Sequence, residues 1–256
     1  MTRPTTPDGL RAAMADRPLR STFVKLAALE VVDLLAATAL DAVVVDLEHS
    51  QLDEGEARRL VRHATARGLP ALVRVPSVDP GAVNRILEAG AVGIQLSGVT
   101  DAAQVGALVA ATRHPPAGTR STSLAQPAAG YGATTVADHV AAPGGPPLLV
   151  GQVEHDPGEG AAALVAGLDV AFAGTTDLSV ALGRPGRTDH PEVVAALGRI
   201  AAGARAAGVA FGGWAPGADA AGPLEAEGAR YLTLGSDLAA LRGALIRELG
   251  AGTPRP

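Results

Sequence analysis

The chain has 256 residues, a formal charge of −5 at pH 7, 47% apolar residues and only 2% aromatic ones. With 21 basic against 26 acidic residues and no basic run, it offers no electrostatic footprint for nucleic acid, and the absence of cysteine excludes disulfides, thiolate nucleophiles and Cys-ligated metal. The apolar runs are too short to span a bilayer, and MTRPTTPDGLRAAM lacks the apolar core of a signal peptide, so no membrane partner is expected and the expected location is cytoplasmic.

In chain order, Met1–Arg20 reads as an irregular tail. Short β-branched runs then alternate with Ala/Leu/Arg stretches of helical spacing. The first predicted strand is Thr22–Leu26, followed by a helix over Glu30–Thr38. Ala42–Asp46 leads to a helix at 53–67, Ala71–Val75 to one at 79–89, and Val92–Leu96 to one at 101–113. Asp53, Asp79 and Asp101 are N-cap types at three of these starts, and Gly68, Gly90 and, later, Gly228 stand where helices should stop. Pro115–Pro147 breaks the rhythm, being rich in Pro, Gly, Ala and Thr with at most a short helix near Thr134–Val140. Its length is unusual for a connection in a compact domain, and it reads either as a flexible insertion or as a lid or interface element above the catalytic face. The alternation resumes with Leu148–Glu154 and a helix at 158–166, Val170–Gly174 and a helix at 190–207, and Val209–Gly212 and a helix at 217–227. Tyr231–Gly235 and a helix at 237–249 behind Ser236 close the series, with Gly250–Pro256 irregular. Eight strand-and-helix units in strict alternation predict a single-domain α/β fold, the closed (β/α)8 TIM barrel, with an open doubly wound sheet as the alternative.

In such a barrel the C-terminal strand ends form the catalytic face, and polar residues gather there. Asp46, Glu48 and His49 follow VVV, Arg74 ends ALV, Gln152 and Glu154 close LLVGQVE, and Asp177 lies just past VAFAG. Glu154 and Asp177, on neighbouring strands, suit a hard divalent cation held by oxygen ligands with positions left open for water and substrate. The competing reading has Asp177 capping a helix that begins at Leu178 and Glu154 pairing with Arg74. Arg74 needs an anion, which is either a buried carboxylate or a substrate carboxylate or enolate. His49 is a candidate general base whose imidazole Asp46 would orient; the plain alternative is a solvated loop histidine. Gly174–Thr175–Thr176–Asp177 approaches a helix start whose free N–H groups suit an anion beside the metal. In Gly235–Asp237 a helix cap is the simpler role. No Walker sequence or GxGxxG is present.

As an ordered set, VVVDLEHSQLD, LVRVPS, ILEAGAVGI, HPPAGTR with AAGYG, GQVE, AGTTDLSVALGRPG with HPEV, and LGSD resemble the HpcH/HpaI family of class II, metal-dependent 2-oxo acid aldolases, from about Thr22 to Leu249. The resemblance implies a divalent cation (Mg2+, Mn2+ or Co2+) on Glu154 and Asp177, chelated by pyruvate, with loop N–H groups near Thr175 and Thr176 gripping the substrate carboxylate. It implies Arg74 stabilising the enolate oxygen, His49 supported by Asp46 in proton transfer, and Gln152 and Ser97 completing the pocket lining. The implied partners are a 2-oxo acid, an aldehyde and further copies of the chain in a homo-oligomer, a hexamer or trimer. Departures from the family pattern fall around the pocket: LSGV with Ser97 and Gly98, GTTDLS with Thr175, Arg120–Ser121 in the insertion, and Lys25 where the first strand commonly has glycine. Two alternatives stand beside aldolase chemistry: a citrate lyase or malyl-CoA lyase type of reaction, and a non-catalytic ligand-binding barrel. A Schiff-base aldolase is disfavoured because Lys25 is the chain's one lysine.

Overall fold

The computed structural model describes residues 3–250. In chain order the elements are α1 (Pro7–Asp16), β1 (Leu19–Val24), α2 (Leu29–Ala36), β2 (Val43–Asp46), α3 (Glu54–Ala66), β3 (Ala71–Val75), α4 (Pro80–Glu88), β4 (Gly93–Leu96), α5 (Ala102–Thr112), α6 (Val136–Ala141), β5 (Leu148–Val153), α7 (Ala161–Val165), β6 (Val170–Ala173), α8 (Thr175–Ala181), α9 (Pro191–Ala206), β7 (Ala210–Ala215), α10 (Gly222–Ala226), β8 (Tyr231–Ser236) and α11 (Asp237–Leu249). The eight strands pair in sequence order, and β8 closes onto β1, with every pairing parallel. The barrel expected from the alternation is the observed fold, and the open sheet is excluded. No helix among the described residues is long and apolar enough to cross a membrane.

The period of two along each strand divides the core into two layers. Phe23, Val44, Leu72, Val150, Phe172 and Tyr231 fill the barrel interior. Their alternates, among them Val43, Val45, Val73, Ile94, Leu149 and Phe211, face outward and meet Leu60, Val61, Ile86 and Leu108 of the surrounding helices. Small side chains on the outer layer let helices sit close to the sheet, which is how a chain so poor in aromatics builds a dense core. The aspartates expected at helix starts do cap: Asp53 and Asp101 each complete a reciprocal capping box, and Asp79 accepts from two backbone N–H groups.

Three expectations are corrected. Residues 3–20 are not an irregular tail, because α1 is capped by Thr6, starts with Pro7, and drives Leu10 and Met14 into the interior layer at the N-terminal mouth of the barrel, while residues 1 and 2 lie outside the described residues. Arg11 pins it through Asp169, at 2.7 Å. The predicted start at Thr22 is three residues late, since β1 begins at Leu19. The insertion does not lie over the catalytic face: it leaves the C-terminal end of α5 and enters the start of β5, both on the opposite face of the barrel. From there it runs along α4, where Asn84 bonds Ser121 and Arg120. Of the C-terminal tail, residues 251–256 lie outside the described residues.

Candidate active site

The C-terminal strand ends converge on a cavity of about 480 Å³ whose wall includes Lys25, His49, Arg74, Gln152 and the first turn of α8. The sheet register sets its floor, because Asp46, Arg74 and Gln95 are adjacent on β2, β3 and β4 and all point inward. Arg74 forms a two-pronged ion pair with Asp46, Nε to Oδ1 at 2.8 Å and Nη2 to Oδ2 at 2.6 Å. Its Nη1 approaches Glu48 Oε2 at 2.9 Å, as an ion pair off the hydrogen-bond line. The guanidinium also lies 4.3 Å from the ring centre of Phe23. Asp46 is fully buried, and it takes a second cation, Lys25 Nζ, at 2.9 Å. Burial alone would raise the Asp46 pKa, but hydrogen bonds from Arg74 and Lys25 outweigh it and hold the carboxyl far below the usual range.

This arrangement settles two questions left open by the sequence. The anion of Arg74 is Asp46, with Glu48 beside it, and not Glu154. Nor does Asp46 orient the His49 imidazole, because its oxygens are taken by Arg74 and Lys25 and by the backbone N–H groups of Glu48 and His49. Asp46 therefore fixes the loop that carries His49, while Lys25 Nζ donates to the His49 carbonyl at 2.9 Å. The imidazole itself is 62% exposed at the rim, 3.8 Å from Glu48.

Across the cavity, Gln152 Nε2 donates to Glu154 Oε1 at 2.7 Å, and its own Oε1 accepts from Gln95 and Arg74. Glu154 lies against Gly174: a Cβ there would stand 2.7 Å from Glu154 Cγ, so only glycine leaves the carboxylate its place. Three residues on, Asp177 sits in the first turn of α8. It is not a cap, because the N-cap position is Gly174, without a side-chain bond, and the helix starts at Thr175 instead of Leu178. Leu178 is the first residue of this turn whose N–H finds a backbone acceptor, Gly174 O at 2.9 Å. Burial pushes the Glu154 carboxyl above the ordinary carboxylate range; the negative charges of Asp177 and Glu48 add to this, and the bond from Gln152 opposes it. Among the described residues no third histidine or carboxylate joins the pair as a cluster able to hold a metal ion. Thr175 and Thr176 line the cavity. Ser97 is buried, its hydroxyl bonded to Val75 O at 3.1 Å, and it does not reach the wall.

The family model described as HpcH/HpaI aldolase/citrate lyase matches residues 20–244. The chain belongs to this family. A hydroxypyruvate/pyruvate aldolase of Paraburkholderia phytofirmans is 32% identical over 230 residues, 86% of this chain and 88% of the relative. A 5-keto-4-deoxy-D-glucarate aldolase of Klebsiella pneumoniae is 32% identical over 243 residues, 93% of this chain and 94% of the relative. Among solved structures, an HpcH/HpaI aldolase/citrate lyase family protein from Burkholderia cenocepacia superposes with a TM-score of 0.86 at 29% identity, covering 94% of this chain and 97% of the other. This member of the HpcH/HpaI family is thus a carbon–carbon lyase of the aldolase type.

The sequence alone does not reveal the parts that Glu48 and Trp214 take at the cavity. Glu48 was seen at a strand end, but its pairing with Arg74 depends on how the loop folds back. Trp214 was placed beyond a strand ending at Gly212. The true β7 runs to Ala215, which puts Trp214 on its inward face. Gly212 and Gly213 look like a strand stop, yet they are close-approach positions: a Cβ on Gly212 would meet Tyr231 O at 2.3 Å. The alternation of inward positions 210, 212 and 214 was the available signal.

Proposed function

We propose that the chain is a divalent-metal-dependent aldolase that forms or cleaves 4-hydroxy-2-oxo acids through the enolate of a pyruvate-type donor. The observation that carries this reading is a pair of carboxylates, Glu154 just past β5 and Asp177 in the first turn of α8, that have no ion-pair partner among the described residues and share the catalytic mouth with a fixed arginine. Their chemistry fits a hard cation: both are oxygen donors, and the upward shift of the Glu154 pKa reflects in part a local excess of negative charge that a cation would relieve. Glu154 and Asp177 would hold Mg2+, Mn2+ or Co2+, leaving the remaining positions to water and to the donor's oxygens. When bound, the ion supplies Lewis-acid polarisation of the 2-oxo group.

The remaining roles belong to the chain's own groups. Gln152 keeps Glu154 in one orientation through its 2.7 Å bond. Arg74, immobilised by Asp46 and Glu48, presents Nη1 toward the side of the cavity where the enolate oxygen develops charge. Thr175 and Thr176 offer the N–H groups of the first turn of α8 to the donor carboxylate. His49, exposed at the rim, gives or takes the proton of the acceptor oxygen through water. Lys25 is ion-paired with Asp46, which leaves no free amine for a Schiff base.

Exchange of the pyruvate methyl protons in D2O tests the donor half without any aldehyde. Exchange is expected with added Mn2+, Mg2+ or Co2+, and is expected to vanish on chelation and in Glu154→Ala. Exchange that persists under chelation, or that survives the loss of Glu154, removes the metal-enolate mechanism.

We also infer a homo-oligomer. On α11, Leu238, Leu241, Leu245 and Leu249 recur at helical spacing along one face and are 44%, 50%, 46% and 70% exposed. An apolar stripe of this kind fits the rim of a subunit interface. Light scattering coupled to size exclusion is expected to give a multiple of the 25.5 kDa chain mass, and Leu241→Glu with Leu245→Glu is expected to lower it. A monomer at micromolar concentration contradicts the inference.

A further inference from the structure

Below the catalytic mouth a second carboxamide is buried that has no part in the roles given so far. Gln95 is an inward residue of β4, in register with Arg74 on β3 and Val150 on β5, and it is 0% exposed. Val44, Leu72 and Val150 keep the adjoining barrel interior apolar. Gln95 Nε2 donates to Gln152 Oε1, and Gln152 Nε2 donates to Glu154 Oε1 at 2.7 Å. Two amides therefore stand in series behind one carboxylate.

The polarity of this series is dictated from its far end. An ionised Glu154 only accepts, so Gln152 must turn its NH2 toward it; the Gln152 oxygen then faces Gln95, which must answer with its own NH2. Reversing Gln152 would set one acceptor against another across the same 2.7 Å. Gln152 Oε1 has one other donor, Arg74 Nη1, at 3.5 Å. That nitrogen lies nearer Glu48, at 2.9 Å, and it is the one turned toward the enolate oxygen, so it cannot also secure Gln152. Gln95 is the donor that remains. Its own Oε1 is buried and has no partner among the described residues. An unpaired buried acceptor weakens a fold, and an apolar side chain of the same size would avoid it. The donor end is thus the part of Gln95 that the site uses.

We propose that Gln95 is a positioning residue of the metal site: its NH2 fixes the sense of the Gln152 amide, and Gln152 in turn holds Glu154 by Oε1 and leaves Oε2 to the cation. This rests on the reading of Glu154 as a metal ligand. The carboxylate is held at two points. Glu154 Cγ packs against Gly174, and the bond from Gln152 stops rotation of the carboxylate about Cγ–Cδ. Hydrogen bonds in series polarise one another, which strengthens the last of them. Groups that orient a metal ligand from outside the coordination shell change metal affinity or activity by about 10–100-fold.

Gln95→Met keeps the volume and removes the donor. Titrated with Mn2+ in the absence of substrate, and followed by the paramagnetic resonance of the free ion, it is expected to show a dissociation constant about tenfold above that of the wild type. The metal-free variant is expected to melt at or above the wild-type temperature, because the unpaired oxygen is gone. A side chain that merely fills the barrel would give the opposite pair of results, a lower melting temperature with Mn2+ binding unchanged, and that pair overturns the proposal. A double variant asks whether the effect passes through Gln152. Gln152→Met is expected to weaken Mn2+ binding by about tenfold or more, and Gln95→Met added to it is expected to change nothing further. A double variant whose loss is the product of the two single losses refutes the relay. Should Gln95→Met not fold, Gln95→Leu carries the same measurements.

Side-chain amide NMR of the metal-free protein separates this role from the metal reading. The Gln152 NH2 pair, identified by its absence from Gln152→Met, is expected to show one proton well downfield of the other and protected from exchange. In Gln95→Met the two are expected to converge and exchange faster. Mn2+ binding by the wild type with an unmoved Gln152 pair sinks the positioning role alone. A pair that moves in a chain binding no Mn2+ supports the positioning of Glu154 and sinks its role as a metal ligand.

Discussion

Glu154→Gln is expected to lower kcat by at least about a thousandfold, equivalent to roughly 4 kcal/mol of transition-state stabilisation, while raising the melting temperature of the metal-free protein. The two effects share one cause. Glu154 is held beside Gly174, half-buried and within the field of Asp177 and Glu48, and its pKa in the fold lies above the ordinary carboxylate value. A carboxyl whose folded pKa is raised imposes no penalty at pH below its unfolded value, near 4.3, and imposes the full penalty once the pH has risen through the folded value. Glutamine keeps the shape and can still accept the Gln152 bond, but carries no charge. The metal-free variant should therefore melt higher than the wild type at pH 7, by about 2–4 °C for each kcal/mol relieved, and the difference should close at pH 4. Added Mn2+ should raise the melting temperature of the wild type and leave the variant unmoved, since only a binder of the native state stabilises it. Calorimetry at the two pH values, with and without metal, reads all of this. A variant that stays active, or that gains stability from Mn2+ like the wild type, refutes the role of Glu154.

The same carboxylate shows where the sequence was legible and where it was not. The period-two runs and the aspartate caps are local signals, so Ala71–Val75 is recovered to the residue and the inward row Asp46, Arg74, Gln152, Glu154 follows from strand parity. What parity does not give is partnership. Which acid meets Arg74 depends on β2 and β3 lying side by side in register, and the separation of 28 positions between Asp46 and Arg74 conceals that pairing. Asp46 does not orient His49 for the same reason: a second cation, Lys25 just past the end of β1, reaches the same carboxylate from the neighbouring strand. Helix α1 went unread because only two apolar residues, Leu10 and Met14, mark its buried face. Composition leaves the insertion after α5 open between a flexible segment and a lid over the catalytic face, whereas the direction of α5 alone fixes the opposite end of the barrel as the one at which it begins.

Arg74→Met is expected to be the most damaging single substitution to the fold near the site, and a second substitution separates its structural part from its chemical part. Asp46 is 0% exposed and Arg74 6%, so removing the guanidinium leaves a buried carboxylate with Lys25 and backbone N–H groups as its remaining partners. Breaking a buried pair from one side costs about 3–5 kcal/mol, which for a chain of this length lowers the melting temperature by about 6–20 °C. The deficit depends on pH with a definite sign. In the wild type the Asp46 pKa is held far below its ordinary value, so the pair's contribution is fully present above that ordinary value and fades only as the pH falls through the depressed one. The gap between wild type and Arg74→Met should accordingly be widest at neutral pH and narrow below about pH 4. Asp46→Asn added to Arg74→Met removes both charges together, and should return most of the lost stability. Activity should not return, because the donor that faces the developing enolate is still missing, and the loss should remain at about a thousandfold or more. Arg74→Lys keeps the charge without the two-pronged geometry, and should fall between the two in stability while staying nearly inactive. Equal melting temperatures for wild type and Arg74→Met would mean that the ion pair does not secure this end of the barrel. An active double variant would mean that Arg74 serves the fold alone.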